Sequence, residues 1–353
     1  TVFGEAELQC TIHPAPALGA DQQFAEAMAA QPIPVVQADQ GIDPSQPLRG
    51  IRVLDLGVGA VVPEAAAMLA AFGADVIKVE SRVYPDFLRR NGMQGPEDID
   101  ASPTFNQLNL GVKSVAVDMN SARGRELVSA LVPSCDIIME NMRGGVVAKW
   151  GLDYGGATSL RPDIIYLSSQ GLGSGPYDGY QTFGPNLQTF SGVTGQWAHP
   201  DDPYPVGTTL NHPDHMAGKQ ALVPVLAALL RRDRAGTGTF IEAAQVEGAA
   251  YLIGTRFLQQ TFSATDLPPL GNQQPNMTPH GVYPCQGEDR WVALAVESDA
   301  QWHALTDLIG PLSPQLQAVR DELASAHGRL RHAALIDAWI GAWSSPLTVS
   351  YTH

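Results

Sequence analysis

About thirty residues, from Ile51 to Glu80, limit most sharply what this chain can become. Residues 51–56 (IRVLDL) form a short apolar run of the kind found in buried strands. Residues 57–62 read as a loop, Pro63 suits a helix's first turn, and 64–72 read as an apolar helix. Gly73 stops that helix, and 75–80 (DVIKVE) read as a second strand. Strand, loop, helix and strand in so short a span make a parallel unit, so a parallel sheet is expected.

The alternation continues. Residues 114–118 (SVAVD) read as a strand, and Ser121 as an N-cap before a helix at 123–132. A strand at 135–140 (CDIIME), a loop at 141–145, a strand at 163–168 (DIIYLS) and a Gly, Pro and Tyr loop at 171–184 follow. Residues 217–232 read as a long buried helix stopped by Gly236 and Gly238, with a strand at 240–244 and one helix over 246–260 behind it. Residues 262–284, rich in Pro, Asn and Gln, read as an excursion between domains. A strand at 291–297, a helix at 299–309 and a mostly helical remainder follow. The fold class is α/β, a Rossmann-like parallel-sheet large domain with a small α+β domain.

Chemistry concentrates in residues 205–219 (PVGTTLNHPDHMAGK), which carry Asn211, His212, Asp214, His215 and Lys219. Pro213 disfavours helix geometry at the residue before it, and the apolar helix follows at once. Asp214 therefore stands at or near a helix N-terminus, where it can cap free N–H groups and where the dipole favours its ionised form. An ionised carboxylate on a rigid element is a workable nucleophile. It is equally the ordinary N-cap, and the local sequence leaves both readings open.

Composition removes several classes of function. A net charge of −15 argues against nucleic acid or an anionic membrane as partner, since both call for a basic surface. Cys10, Cys135 and Cys285 lack CxxC spacing, which points to a reducing compartment and no metal site. The first residues are neither basic nor followed by an apolar core, and no apolar run is long enough to span a bilayer, so a cytoplasmic protein is expected. Gly57-Val58-Gly59 with Glu80 about 20 residues on imitates a dinucleotide fingerprint. No glycine stands at the fingerprint's third glycine position, just ahead of Pro63, which argues against NAD.

Taken together and in order, several segments resemble the family III CoA-transferases, the formyl-CoA and carnitine-type enzymes. They are GIRVLDLG, LAAFGADVIKVE, FNQLNLGVKSVAVDM, CDIIMENMRGGVVAKWGLDY, RPDIIYLSSQGLGSGPY, NHPDHMAG and LAALLRRDRAGTGTFIEAA, with GNQQPNMTPHGVYPCQGEDRWVALAV beyond them. The resemblance implies a CoA-binding large domain at 49–255, an interdomain linker at 256–284 and a small domain at 285–353. It implies that CoA moves from an acyl-CoA donor to a carboxylic acid acceptor through aspartyl anhydride and aspartyl-CoA thioester intermediates, with Asp214 as the nucleophile. CoA enters as a substrate, and no tightly bound cofactor is implied. By position, the CoA contacts are Gly59, Ala60, Ser81, Arg82, Val117, Asn141, Met142, Val146, Lys149 and Trp150. Arg143 and Lys149 are the phosphate partners on physical grounds. Gly218 and nearby N–H groups are candidate oxyanion donors.

The chain departs from the family pattern in places. Ala60 and Ser81 replace a Gln and an Arg of the formyl-CoA enzymes, and their tetra-glycine loop has no equivalent. The α-methylacyl-CoA racemases of the same fold carry a His at the position of Phe183, and a phenyl ring cannot shuttle a proton. Phe183, His212 and His215 are then substrate-pocket residues, with racemase-like isomerase or non-catalytic half of a tandem enzyme as the alternatives to transferase. Residues 1–48 form a segment similar to the family's C-terminal tail followed by a linker, yet they precede the large domain, while the end at His353 falls inside the small domain. A piece of a tandem fusion is one account; a permuted, processed or incomplete chain is another. The family's two chains interlock like linked rings, which implies a homodimer or a tandem pseudo-dimer. The linker at 31–48 reaches roughly 60 Å if extended, so the N-terminal segment is expected on a neighbouring module.

Overall fold

The computed structural model describes residues 13–30, 45–91, 98–200, 202, 204–205, 211–263 and 266–347. Cys10, most of the linker at 31–48 and residues 206–210 lie outside the described residues. The chain divides into two units, one from residues 1–193 and 208–257, the other from 194–207 and 258–353.

The first unit is built on six short parallel strands: β1 (Arg52–Asp55), β2 (Asp75–Glu80), β3 (Lys113–Ala116), β4 (Ile137–Glu140), β5 (Ile165–Ser168) and β6 (Thr239–Glu242). Their order is β3-β2-β1-β4-β5-β6, with Val53 of β1 paired to Val76 on one side and Ile137 on the other. The chain winds outward from β1 in one direction and then restarts at β4 in the other. That reversal opens a crevice beyond the carboxyl ends of β1 and β4, where α/β folds place their ligands.

Successive strand side chains alternate between faces. Val53, Val76, Ile137 and Ile165 meet Ala65 and Leu69 of the helix Val61–Ala71 and Ala221, Val225 and Leu229 of the helix His212–Ala235. Leu54, Ile77, Val115 and Ile138 face the other way, toward Val128 and Leu131 of the helix Ala122–Leu131. Both faces are thus covered, as a parallel sheet requires.

Residues 13–30 lie on the chain's own sheet, contrary to the expectation that they reach a neighbouring module. β3 is an edge strand, and its open polar edge draws this segment in. Asp21 Oδ2 accepts from Ser114 N at 2.8 Å, Asp21 N donates to Ser114 O at 2.9 Å, and Gln22 Oε1 accepts from Ala116 N at 3.2 Å. Ala25 and Met28 of the helix Gln22–Ala29 are buried in the apolar cluster with Val128 and Leu131.

Most strand bounds shift by one or two residues from the sequence reading, and three helices differ in ways that breakers explain. The helix expected from Glu64 begins at Val61, with Pro63 tolerated in its first turn. The helix expected over 217–232 runs from His212 to Ala235, because Pro213 falls where the N–H is unpaired anyway, and Gly236 at φ +65° ends it. The single helix expected over 246–260 is two, Gln245–Leu252 and Gly254–Phe262, separated at Ile253, whose φ of −113° leaves helical geometry.

The second unit holds an antiparallel pair, β7 (His280–Pro284) and β8 (Trp291–Ala295), with Tyr283 opposite Val292. β7 was not anticipated: Pro279, Gly281 and Pro284 disguise a strand that needs no interior position. Trp302, Leu316, Ile336, Trp339 and Ile340 form its core with Tyr283. Among the described residues no helix is long and apolar enough to cross a membrane.

Candidate active site

The loop after β1 rests on a buried charge cluster. Lys78 of β2 is fully buried and donates to Gly57 O at 2.8 Å, with Asp55 and Asp86 carboxylate oxygens at 3.6 and 3.4 Å. Asp55 Oδ1 accepts from Gly57 N at 2.7 Å, and Asp86 Oδ2 accepts from Gly59 N at 3.0 Å. Burial alone would lower the Lys78 ammonium's proton affinity, but the two aspartates outweigh it and hold it above the usual range. Burial raises Asp55, with Lys78 opposing. The loop is therefore fixed from below by ionic and hydrogen-bonding groups rather than by packing alone. Gly59 takes φ +74°, and a Cβ there would come within 2.8 Å of the Phe87 ring.

The loop after β4 is tied to the first. Asn141 Oδ1 accepts from Val58 N at 2.9 Å and its Nδ2 donates to Val58 O at 2.8 Å. Buried Glu140 accepts from Met142 N at 2.7 Å, and Gln170 donates to Met142 O at 2.9 Å. Burial pushes Glu140 above the usual carboxylate range, against its hydrogen bonds from Ser168, Met142 and Gln170.

Asp214 lies in the first turn of the helix His212–Ala235. Asn211 occupies the N-cap position and no side chain caps the helix, so the capping role read from sequence is not realised. Nor does the dipole decide its ionisation: burial pushes the carboxyl up to about 6, with His215 pulling it down and Glu64 pushing it up. With that value the carboxylate still outnumbers the acid by roughly ten to one at neutral pH. Glu64 Oε2 meets His215 Nδ1 at 2.6 Å and its Oε1 meets Lys219 at 3.2 Å, joining the helices Val61–Ala71 and His212–Ala235. A Cβ at Gly218 would come within 2.7 Å of Val61 O, so this glycine serves the close approach of those helices. Its N–H lies past the helix's first turn and belongs to the internal ladder, which removes it as an oxyanion donor.

Two cavities of about 260 Å³ each open at the crevice, and Val58 lines both. The first gathers Gly59, Ala60, Asn141, Arg143, Phe183 and Asp214. The second gathers Ser81, Val117, Met142 and Trp150. Arg82, Val146, Lys149, His212 and His215 line neither. Arg82 stands against Gly19, and Val146 and Lys149 belong to the short helix that ends beside Trp150. Gln170 and Gln245 also line the Asp214 cavity and were missed from sequence. Their signal was position: each follows closely on the carboxyl end of a strand, β5 and β6, where sites in this fold class are built.

A family model described as CoA-transferase family III matches residues 48–352. A probable CoA-transferase of Mycobacterium tuberculosis is 30% identical over 344 residues, which cover 95% of this chain and 41% of that protein. The chain thus spans well under half the length of that relative. Succinyl-CoA–D-citramalate CoA-transferase of Chloroflexus aurantiacus is 30% identical over 310 residues, 88% of this chain and 74% of the relative. Succinate–glutarate CoA-transferase of Agrobacterium fabrum is 31% identical over 297 residues, 82% and 72% respectively. Among solved structures, a CAIB/BAIF family protein from Brucella suis superposes with a TM-score of 0.74 at 26% identity, covering 86% of this chain and 79% of that one. By the extent of the family match, the chain belongs to CoA-transferase family III.

Proposed function

We propose that the protein moves CoA from an acyl-CoA donor to a carboxylic acid acceptor, with Asp214 as the covalent nucleophile. The observation that carries this reading is the placement of a partly buried carboxylate, Asp214, in one cavity with Gly59, Ala60 and Asn141 from the two crevice loops. CoA is a substrate here, not a bound cofactor. Its adenine end takes the cavity of Ser81, Val117, Met142 and Trp150, and its pantetheine arm passes Val58 to bring the sulfur to Asp214. Arg82, Val146 and Lys149, outside both cavities, meet the parts of CoA that stay at the surface, with Lys149 facing a phosphate.

An Asp214 oxygen attacks the donor's acyl carbon, the carbon–sulfur bond breaks, and CoA thiolate leaves a mixed anhydride on the enzyme. The thiolate then attacks the aspartyl carbonyl, which expels the donor acid as its carboxylate and leaves an aspartyl-CoA thioester. The acceptor carboxylate attacks that thioester, CoA thiolate leaves again, and a second anhydride forms. Attack of the thiolate on the acceptor's carbonyl releases the new acyl-CoA and returns the Asp214 carboxylate. No proton is gained or lost over the cycle. A carboxylate that is costly to bury is more reactive than one in water, which favours Asp214 in this role.

The racemase reading needs a second acid or base in the same cavity, and Phe183 offers none, while His212 and His215 line neither cavity. A non-catalytic half has no use for Asp214 in a formed cavity. The working assembly is an interlocked homodimer or a tandem pseudo-dimer; the 41% span of the Mycobacterium relative supports the second form. An exchange assay that follows label from a carboxylic acid into acyl-CoA, run alongside α-proton exchange in deuterium oxide, tests the activity. Donor-dependent labelling without α-exchange is expected. Exchange at the α-carbon without transfer would favour the racemase, and neither would favour the silent half. Light scattering tests the assembly: an active species at 37.6 kDa, the mass of one chain, would contradict it.

A further inference from the structure

The Asp214 carboxylate accepts no hydrogen bond from a described residue. Its aim at a substrate therefore depends on where its helix, His212–Ala235, is held. Opposite stands the helix Val61–Ala71, whose entry carries Gly59, Ala60 and Val61, and all three line the cavity with Asp214. Two faces of the Asp214 helix meet it. Asp214 and Gly218 are four residues apart and share one face, on which a Cβ at Gly218 would come within 2.7 Å of Val61 O. His215 and Lys219, likewise four apart, share the next face, and Glu64 holds both: its Oε2 lies 2.6 Å from His215 Nδ1 and its Oε1 3.2 Å from Lys219 Nζ.

Glu64 is itself one turn beyond Ala60, and its N–H donates to Ala60 O at 3.0 Å. One carboxylate thus ties the residue next to Asp214 to the turn that forms another wall of the cavity. The Glu64 side chain is 15% exposed and that of His215 24%, so this pair is partly shielded from water, whereas Lys219 at 53% is the weaker partner. Further along, Ala65, Leu69, Leu222 and Val225 of the two helices lie in one apolar cluster. Apolar packing is non-directional, and packed helices can shift against each other by about 1 Å. Attack on an acyl carbon needs the reacting atoms about 3–3.5 Å apart, and misplacement by about 1 Å can cost about 100-fold in rate. A directional tie at the cavity end of the helix pair answers that need.

Resting on the transferase reading above, we infer that Glu64 is a positioning residue for the acylation of Asp214: through His215 and Lys219 it sets the Asp214 carboxylate at attacking distance from an acyl carbon seated against Gly59 and Ala60. Glu64 lines neither cavity, so its loss should leave CoA binding in place and slow the chemical step.

The test uses the protein in its native assembly with saturating succinyl-CoA, rapid mixing and hydroxylamine trapping. It reads the first-order rate constant of Asp214 acylation at about pH 8, on the ionised side of the carboxyl. Glu64→Ala should lower that constant by about 10- to 100-fold, with CoA affinity by calorimetry within about threefold of the parent. Glu64→Gln keeps one acceptor oxygen for His215 and should recover most of the loss. In a background of His215→Ala with Lys219→Ala, adding Glu64→Ala should cost no more than about twofold further, since the grip is already gone. An unchanged constant in Glu64→Ala overturns the inference, as does an equal loss in Glu64→Gln. A variant whose only change is the position of the acid limb of its pH profile makes Glu64 a mere electrostatic neighbour of Asp214 and also overturns it. So does a loss of CoA affinity that matches the loss of rate, the mark of a general support of the fold. Should Glu64→Ala fail to fold, His215→Ala opens the same contact from its other side and is read by the same outcomes. Unaltered protein that forms no acyl-enzyme at Asp214 defeats the transferase reading beneath the inference, whereas acylation at one rate with and without Glu64 defeats only the positioning.

Discussion

Glu64 reaches from one helix to His215 on another, its Oε2 2.6 Å from His215 Nδ1, one residue from Asp214. The pair sets an imidazole and a carboxyl group beside the carboxyl proposed to carry the reaction. Burial raises Asp214 to about 6, with His215 lowering it and Glu64 raising it. The rate of the donor step, measured as kcat/KM, is expected to fall about tenfold per pH unit below pH 6 and to level off above it. His215→Gln removes the downward influence and should move that limb to higher pH. A profile that stays flat into the ordinary carboxylate range, or a limb that moves to lower pH in the variant, would contradict this.

The same elevation makes Asp214 a burden on stability. Below the ordinary value of 3.8, folded and unfolded chains are both protonated and the fold's preference for the neutral carboxyl is fully expressed. Between 3.8 and about 6 the unfolded chain ionises first, and the contribution is lost as pH rises through that window. The difference corresponds to about 3 kcal/mol. Asp214→Asn should therefore unfold at higher temperature than the parent near neutral pH and match it near pH 3.5, although it is expected to be inactive. Equal melting temperatures at both pH values would remove this cost from the account.

Apolar runs made the frame legible. The sequence bounds of β2, Asp75–Glu80, and of the helix Asp299–Ile309 coincide with those observed, because each is a single run with a clear stop. Breakers misled at two proline-bearing turns: Pro213 sits inside a helix whose first turn accepts it, and Pro284 ends a strand that its presence hid, whereas Pro63 stands in a helix's first turn as read. Within the candidate site, Asp214 stood out through its neighbours in sequence. Lys78 did not, since a lysine in DVIKVE has the same alternation as one that faces water. Only the pairing of β2 between β1 and β3 buries it against Asp55 and Asp86. Arg143 was legible as a cation of the loop after β4, but its place on the lining of the Asp214 cavity depends on the fold.

Lys78 gives a prediction independent of catalysis. Lys78→Met leaves Asp55 and Asp86 buried without their cation, and breaking a buried ion pair from one side costs about 3–5 kcal/mol. It also removes the donor to Gly57 O, so the loop that lines both cavities should loosen and CoA affinity should fall. Adding Asp55→Asn to Lys78→Met should recover part of the stability, since one of the stranded carboxylates is then neutral. Denaturant unfolding and calorimetry on the two variants read both effects. Unfolding of Lys78→Met within about 1 kcal/mol of the parent would show that the cluster does not hold the loop.

The central claim is that Asp214 is covalently acylated, and peptide mass spectrometry after trapping reads it most directly. The protein is incubated with succinyl-CoA, quenched with hydroxylamine and digested. An aspartyl anhydride or thioester is converted to a hydroxamate on the residue that carried it. The account predicts a hydroxamate at Asp214, present only when acyl-CoA was supplied and lost in Asp214→Asn. An unmodified Asp214 peptide from protein that is turning over, or a hydroxamate on a different carboxylate, would contradict it.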